Sequence, residues 1–592
     1  MAYRARLKTI LATLLSLLAI SLCALAQQPG NSDPWTGSSS SDNTSGVLGV
    51  PLHSSASNTE PVSRRADAGK PIEFKSQTSL VQVPVVVTDK AGSHIHQLTK
   101  ADFKILEDGK EQSIANFEEI IPAQGEVPGP DVPAGTFTNQ VANESKPRSV
   151  TVIVLDEVNT PFLSQAYARG QLIKYLANHL DSSQPLGLMV IGGRGLTVLS
   201  GLNSDPAMLI ATLKKASGEI SDMERFSDDA QAIASTGQPP NGLMGGIHPG
   251  DSPDFIVRRF ILKQDAVDAT YGQARTIEST LQAFLSIAWS LSGIPGRKSV
   301  VWATGGFPFY LDSFSAVPGD GTLRTLYERA LKALNDAQIS VYPLDVRGLL
   351  SNPAYSGDYA GTMVSDDAAD LLRASTVSSL NNFARMTGGI AYYGTNDLAG
   401  AFSRAAQDSS SYYLLSYYLD RRNNKPGWRQ LKVVVSRKDA EVHARAGYLI
   451  TDVAVNPEVT HKADVAFALN SPFESTGIPV TERWEVVLPN GNKKKVSFAL
   501  HVPAGDLINE VDKNRFDVEF VAQATNKGIT AGTVGQTIKG AVRPDALAKL
   551  KMDGIFYRNS FDLPPGTYQV RFVVRDNLSG RIGSVIVPLT VN

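Results

Sequence analysis

From Ser79 the chain alternates: Val81, Val83, Val85 and Val87 stand between Gln82, Pro84, Val86 and Thr88. That is the period of a strand with one buried face. Asp89-Lys90-Ala91-Gly92 predicts a turn. Thr99 to Asp102 has the spacing of a short helix start. Ile105-Leu106 and Gln112-Ser113-Ile114 flank Glu107-Asp108-Gly109-Lys110 and predict a hairpin closed by Asp-Gly. Residues 71–121 therefore read as a small β domain, and 122–148 as a Pro/Gly-rich linker.

The pattern changes at Val150. Val150 to Leu155 is continuously apolar, as expected of a strand covered on both faces by helices. Leu163, Ala166, Tyr167, Gly170, Ile173 and Leu176 follow at helical spacing. Leu186–Ile191 and Leu196–Leu199 predict a hairpin about Gly192-Gly193-Arg194-Gly195, and Asp205 opens a short helix. A helix through Ile277, Leu281 and Phe284, a strand Ser299–Ala303, a helix Leu323–Ala337 and a strand Ser340–Leu344 come next. Helices Leu371–Met386 and Leu398–Ala406 enclose a short strand Ile390–Tyr393. The alternation over 149–450 predicts an α/β domain with a doubly wound, mostly parallel sheet. It carries a polar insertion at 216–270, and Tyr412 to Ile450 read as an antiparallel extension. Beyond Asn456 helices nearly vanish; Tyr568, Val570, Phe572 and Val574 alternate with other residues after Pro564-Pro565-Gly566. Residues 457–592 are expected to form an Ig-like β-sandwich.

Length and composition narrow the class. At 592 residues the chain exceeds one core. Its 56 basic and 58 acidic residues, net −2, offer no basic stripe for nucleic acid. Lys493-Lys494-Lys495 decorates a hairpin after Pro489-Asn490-Gly491. Arg4, Arg6 and Lys8 precede an apolar run from Ile10 to Leu25, and Ala24-Leu25-Ala26 suits cleavage, so residues 1–26 read as a signal peptide. The rival reading is a retained anchor, for which the run is short. Cys23, the single cysteine, would leave with the signal, so no disulfide is expected. Residues 27–70, rich in Ser, Asn, Gly and Pro, read as a flexible linker. No membrane span is expected after signal removal, and the expected location is periplasm, cell surface or medium.

Nine stretches occur in one order: VPVVVTDKAG, LTKADFKILEDGKEQSIANFEE, VIVLDEVNT, QAYARGQLIKYL, GIPGRKSVVWATGG, ISVYPLDVRGL, FARMTGGIAYY, SSYYLLSYY and RAGYLI. Together they resemble a von Willebrand factor A domain, and more closely the secreted bacterial VWFA-related family of the Acidobacteria type. The resemblance runs from about residue 79 to 450. It implies a ligand-binding rim at the carboxyl ends of the strands. In the metal-competent version, D-x-S-x-S, a Thr and an Asp on three loops supply oxygens to a cation such as Mg²⁺.

Here that pattern is partial. Asp156 and Thr160 match, but Val158 stands where a Ser is expected. Asn203 stands where the resemblance expects Thr, and Thr304-Gly305-Gly306 lacks the third-loop carboxylate. Asp156, Thr160, Asn203 and Thr304 are the candidate ligands of a degenerate metal site. Asp156, Asn159, Thr160, Gly305, Gly306 and Asp345 are the candidate partner-binding rim. The favoured reading is that Asp156, Asn159 and Thr160 cap the next helix and shape the turn, with no cofactor. Mg²⁺ or another divalent cation is the alternative.

Other candidates reduce to ordinary roles. His94 and His96 lack a third ligand nearby, Glu107-Asp108 belongs to a turn, and Asp345 is expected to anchor its loop with Arg347. Tyr412, Tyr413, Tyr417, Tyr418 and Trp428 read as one face of an added sheet. The expected function is an exported, non-catalytic binding or adhesion-type protein acting on an unknown protein or cell-surface partner. A cation-dependent adhesion module and a hydrolase on the same scaffold are the alternatives.

Overall fold

The computed structural model describes residues 78–121, 132–133, 135–140, 150–180, 186–203, 205–216, 274–307, 320–348, 366–408, 410–420, 427–450, 457–503, 507, 515–542, 549–550 and 552–592. The expected signal peptide, the 27–70 linker and nearly all of the 216–270 insertion lie outside these residues. The chain is mixed α/β, with several separate sheets.

The first strands are β1 (Thr78–Thr88), β2 (Phe103–Glu107), β3 (Lys110–Gln112), β4 (Asn116–Ile120) and β5 (Thr136–Thr138). The region that positions the site follows: β6 (Val150–Asp156), α1 (Phe162–Asn178), β7 (Leu186–Gly192), β8 (Gly195–Asn203) and α2 (Pro206–Lys215). It continues through α3 (274–291), β9 (Lys298–Thr304), α4 (Asp320–Asp336), β10 (Ile339–Asp345), α5 (Asp366–Thr387) and α6 (Leu398–Gln407).

Five of these strands form one sheet in the order β10-β9-β6-β7-β8. β6, β7, β9 and β10 run parallel, and β8 is antiparallel to β7. Every residue of β6, β7, β9 and β10 is buried, which explains their unbroken apolar runs. On one face, Val152 and Val154 pack with Phe284 of α3, Leu331 of α4 and Phe383 of α5. On the other, Ile153 and Leu155 pack with Leu172 of α1, Leu209 of α2 and Phe402 of α6. The chain moves from β6 outward through β7 to β8, then returns to lay β9 on the other side of β6. Strand order therefore reverses between β6 and β9. The strand expected at Ile390–Tyr393 is reduced to one bridge, Tyr392 beside Leu344.

The remaining elements are β11 (Tyr412–Asp420), β12 (Gly427–Val435), β13 (Glu441–His443), β14 (Gly447–Ile450) and α7 (Pro457–Asn470). After them come β15 (Thr481–Asn490), β16 (Lys493–Val502), β17 (Arg515–Asn526), β18 (Ile529–Ala541), β19 (Ile555–Leu563), β20 (Gly566–Asp576) and β21 (Ile582–Val591).

Two expectations about organisation change here. β1 to β4 do not close on themselves as a small domain, and β11 to β14 do not extend the parallel sheet. They interleave instead, in the sheets β13-β1-β11-β4 and β14-β12-β2-β3. The cause is burial: Val83, Val85 and Ile105 share one apolar cluster with Tyr413, Leu415 and Leu431, so the strands of each segment complete the sheets of the other. Likewise β5, expected to be linker, pairs with Thr481–Arg483 of β15. The C-terminal strands form the antiparallel sheets β19-β16-β15-β5 and β18-β17-β20-β21, which share a core including Phe498, Phe520, Tyr557 and Phe572. Among the described residues no helix is long and apolar enough to cross a membrane.

Candidate functional site

Asp156 ends β6 at the reversal point, beside Thr304 at the end of β9. Its carboxylate is 1 % exposed. Oδ1 accepts from the Asn159 backbone N–H at 3.1 Å. Oδ2 accepts from Asn159 Nδ2 at 2.7 Å, Trp302 Nε1 at 2.9 Å and Thr304 Oγ1 at 2.9 Å. Burial dominates the electrostatics and pushes the Asp156 carboxyl up to about 6, against these donors, which favour the charged form.

The turn after Asp156 is locked from both sides. Asn159 Nδ2 also reaches Thr280 Oγ1 at 2.8 Å, whose hydroxyl donates to the Thr276 carbonyl on α3. Among the described residues Asn159 Oδ1 has no hydrogen-bond partner. Thr160 Oγ1 accepts from the Gly305 N–H at 2.8 Å. Gly305 lies so close to this turn that a Cβ would meet the Asn159 carbonyl at 2.7 Å. Gln165, one turn into α1, donates to the carbonyls of Glu157 and Thr160.

These contacts correct three readings of the sequence. The side chains of Asp156, Asn159 and Thr160 do not cap α1, whose N-cap residue is Pro161 with no side-chain cap; they tie the turn to β9 and α3. Asn203 does not join Asp156: it pairs with Leu186, and Leu186 pairs with Thr151 at the opposite end of the sheet. Nor do the proposed rim residues face solvent. Asp156, Asn159, Thr160, Gly305, Gly306 and Asp345 are all buried.

Asp345 stays with its own loop. Its carboxylate accepts from the Arg347 backbone N–H at 3.1 Å, Nε at 2.9 Å and Nη2 at 2.8 Å. Val158 lies in the apolar core. The oxygens that a divalent cation would need at Asp156, Thr160 and Thr304 are thus engaged in hydrogen bonds. A hard cation asks for six or more oxygens with carboxylate charge among them; the neighbouring carboxylate of Glu157 pairs with Arg169 at 3.4 Å. Solvent-facing side chains begin just beyond the turn, with Phe162 at 40 %, Leu163 at 79 % and Tyr167 at 37 % exposure.

Trp302 is the member of the site that sequence reasoning missed. It reads as one more apolar residue in VVWAT, and its signal is that an indole deep in a parallel strand needs an acceptor for its N–H. Elsewhere, His94 Nε2 lies 3.2 Å from the Gln407 carbonyl, and His96 Nδ1 lies 2.8 Å from Glu119. No group of three or more His, Cys, Asp or Glu side chains among the described residues could hold a metal. Glu107, expected in a turn, is buried and accepts from Tyr417 at 2.6 Å and Tyr448 at 3.2 Å. Tyr412, Tyr413 and Tyr417 are buried, whereas Tyr418 and Trp428 are exposed.

No family model and no curated protein matches the chain. Among solved structures, the TFIIH p34 N-terminal domain is similar over 43% of this chain and 96% of that one, at 12% identity and a TM-score of 0.18. The SpRpn10 VWA domain is similar over 33% of this chain and 88% of that one, at 14% identity and a TM-score of 0.14.

Proposed function

We propose that the chain is an exported, non-catalytic binding protein whose central α/β region is von Willebrand factor A-like and meets a protein or cell-surface partner without a bound metal. The observation that carries this reading is the Trp302 indole N–H on Asp156 Oδ2. With Asn159 and Thr304 it places three donors on the oxygen that a cation would otherwise take. The reversal of strand order at this point supports a binding rim, since open α/β sheets bind ligands where their order reverses. The buried network then serves as a rigid base, and Phe162, Leu163 and Tyr167 at the start of α1 make the contact. Export rests on Arg4, Arg6 and Lys8 ahead of the apolar run Ile10 to Leu25.

Calorimetric titration of Mg²⁺, Mn²⁺ and Ca²⁺ into the chain, beside Asp156→Ala, tests the metal-free reading. No wild-type binding tighter than about millimolar is expected, the weak end of protein Ca²⁺ sites. Tighter binding, lost in the variant, would favour the cation-dependent adhesion module instead. Capture of envelope proteins from the source cell tests the contact surface. Capture should survive EDTA and fall with Leu163→Glu; capture lost in EDTA and indifferent to Leu163 would overturn it.

A further inference from the structure

A second site lies away from the rim, where α4 and α5 meet the sheet edge formed by β12 and β14. It is a cavity of about 450 Å³, within the size range of small-molecule pockets. Its walls are apolar and aromatic: Tyr327 and Leu331 from α4, Met386 from α5, Trp428 from β12 and Leu449 from β14.

These walls are held in place. Tyr327 packs edge-on against the buried Phe383, ring centres 6.0 Å apart. The Trp428 indole lies over Gly447, where a Cβ would meet the ring at 2.3 Å and the Arg429 carbonyl at 2.2 Å. Any larger residue at 447 would lift the indole from its place. The Ala446 N–H donates to the Arg385 carbonyl at 2.8 Å, tying the end of α5 to the start of β14.

Three polar groups converge on the same space. Arg385, Asn382 and Gln430 line it, and none of their side chains has a hydrogen-bond or ion-pair partner among the described residues. Arg324 and Glu328 also line it and pair with each other at 3.1 Å. Arg324 is thus engaged, and among the described residues the guanidinium of Arg385 is left without an ion-pair partner. A guanidinium donates two parallel hydrogen bonds to a carboxylate, and a flat ring suits a gap walled by an indole and a phenol.

We propose that this cavity binds a small aromatic carboxylic acid, with the ring against Trp428 and Tyr327 and the carboxylate on Arg385. Asn382 and Gln430 orient the acid through their side-chain amides. This site is independent of the rim at Asp156, and either can fail without the other.

Indole-3-acetate and its neutral amide, indole-3-acetamide, are the probes, titrated calorimetrically into the whole chain. The acid is expected to bind with submillimolar affinity, and the amide at least about tenfold more weakly, the usual size of a charged hydrogen bond's contribution. Arg385→Gln should bring the acid down to the level of the amide, and Arg385→Lys should keep part of the preference. Trp428→Ala should weaken both probes. Arg385 is exposed, so its variants should unfold at the wild-type temperature, which a thermal scan checks. Equal binding of acid and amide, a preference that survives Arg385→Gln, or no binding of either probe by about 10 mM, far weaker than typical small-ligand sites, would each overturn the proposal.

Discussion

Asp156 shows how a single buried group can carry both local order and pH dependence. Its carboxyl is raised from an ordinary 3.8 to about 6 by burial, so the folded chain holds this proton over a range where the unfolded chain releases it. Stability from this group accordingly falls as pH rises from about 4 to about 6. Glu482 extends the fall. It is fully buried, neither of its oxygens has a partner among the described residues, and burial raises it from 4.5 to about 8. At pH 7 the folded chain holds this proton where the unfolded chain releases it, which costs about 3 kcal/mol. Glu482→Gln is therefore expected to stabilise the chain above pH 6 and to flatten the decline, measured as urea midpoints from pH 5 to 8. Lys298 works in the opposite sense. Burial lowers it from 10.5 to about 7, while its ammonium donates to the Ile294 carbonyl at 2.7 Å. The folded chain binds fewer protons than the unfolded one between those values, so this group adds stability as pH rises through that window. Asp156→Ala leaves the N–H of Trp302 short of an acceptor, whereas the hydroxyl of Thr304 can turn to the Gly306 carbonyl at 2.8 Å; the variant should cost about 2 kcal/mol, read by denaturant unfolding at pH 7.

At the scale of elements, β6, β9 and the turn after β6 behave as one unit. Trp302 and Thr304 project from β9 to Asp156, and Gly305 brings the β9 backbone against the turn. Gly305→Ala puts a methyl 2.7 Å from a carbonyl oxygen and is expected to destabilise by about 1–3 kcal/mol, the usual size of overpacking. Trp302→Phe keeps most of the packing with Phe284 and Phe383 but removes the N–H. It should cost about 1–2 kcal/mol and move the lower part of the pH decline upward, because Asp156 loses a donor that favours its charge. The strands β6, β9 and β10 were legible in the sequence because burial on both faces leaves an unbroken apolar run. The bonds that hold the turn were not. Asn159, Thr280 and Trp302 lie far apart in the chain, and nothing in their local patterns says that they meet.

At the scale of the whole molecule, the strands before and after the α/β region are partners. β1 pairs along most of its length with β11, and β2 with β12. Tyr413 and Tyr417 stand opposite Val85 and Val81 in the same sheet and share one core with them. A chain trimmed to residues 149–592 would bare that apolar face. It is expected to lose cooperative thermal unfolding in the segment 412–450 and to be cut there by protease, whereas the full chain should resist. If the trimmed chain unfolds as sharply as the full one, the two β segments are not energetically coupled.

Read alone, the sequence determined the type and order of most elements and the apolar strands ending at Asp156 and Asp345. Those features rest on periodicity and residue chemistry, which are local. Tertiary structure alone decided that β1 to β4 join β11 to β14, that Asn203 lies at the far end of the sheet, that the expected rim is buried, and that Trp302 donates to Asp156. Strand partners and buried polar contacts are chosen by which apolar faces must be covered together. That choice depends on residues hundreds of positions apart, and no short stretch of sequence contains it.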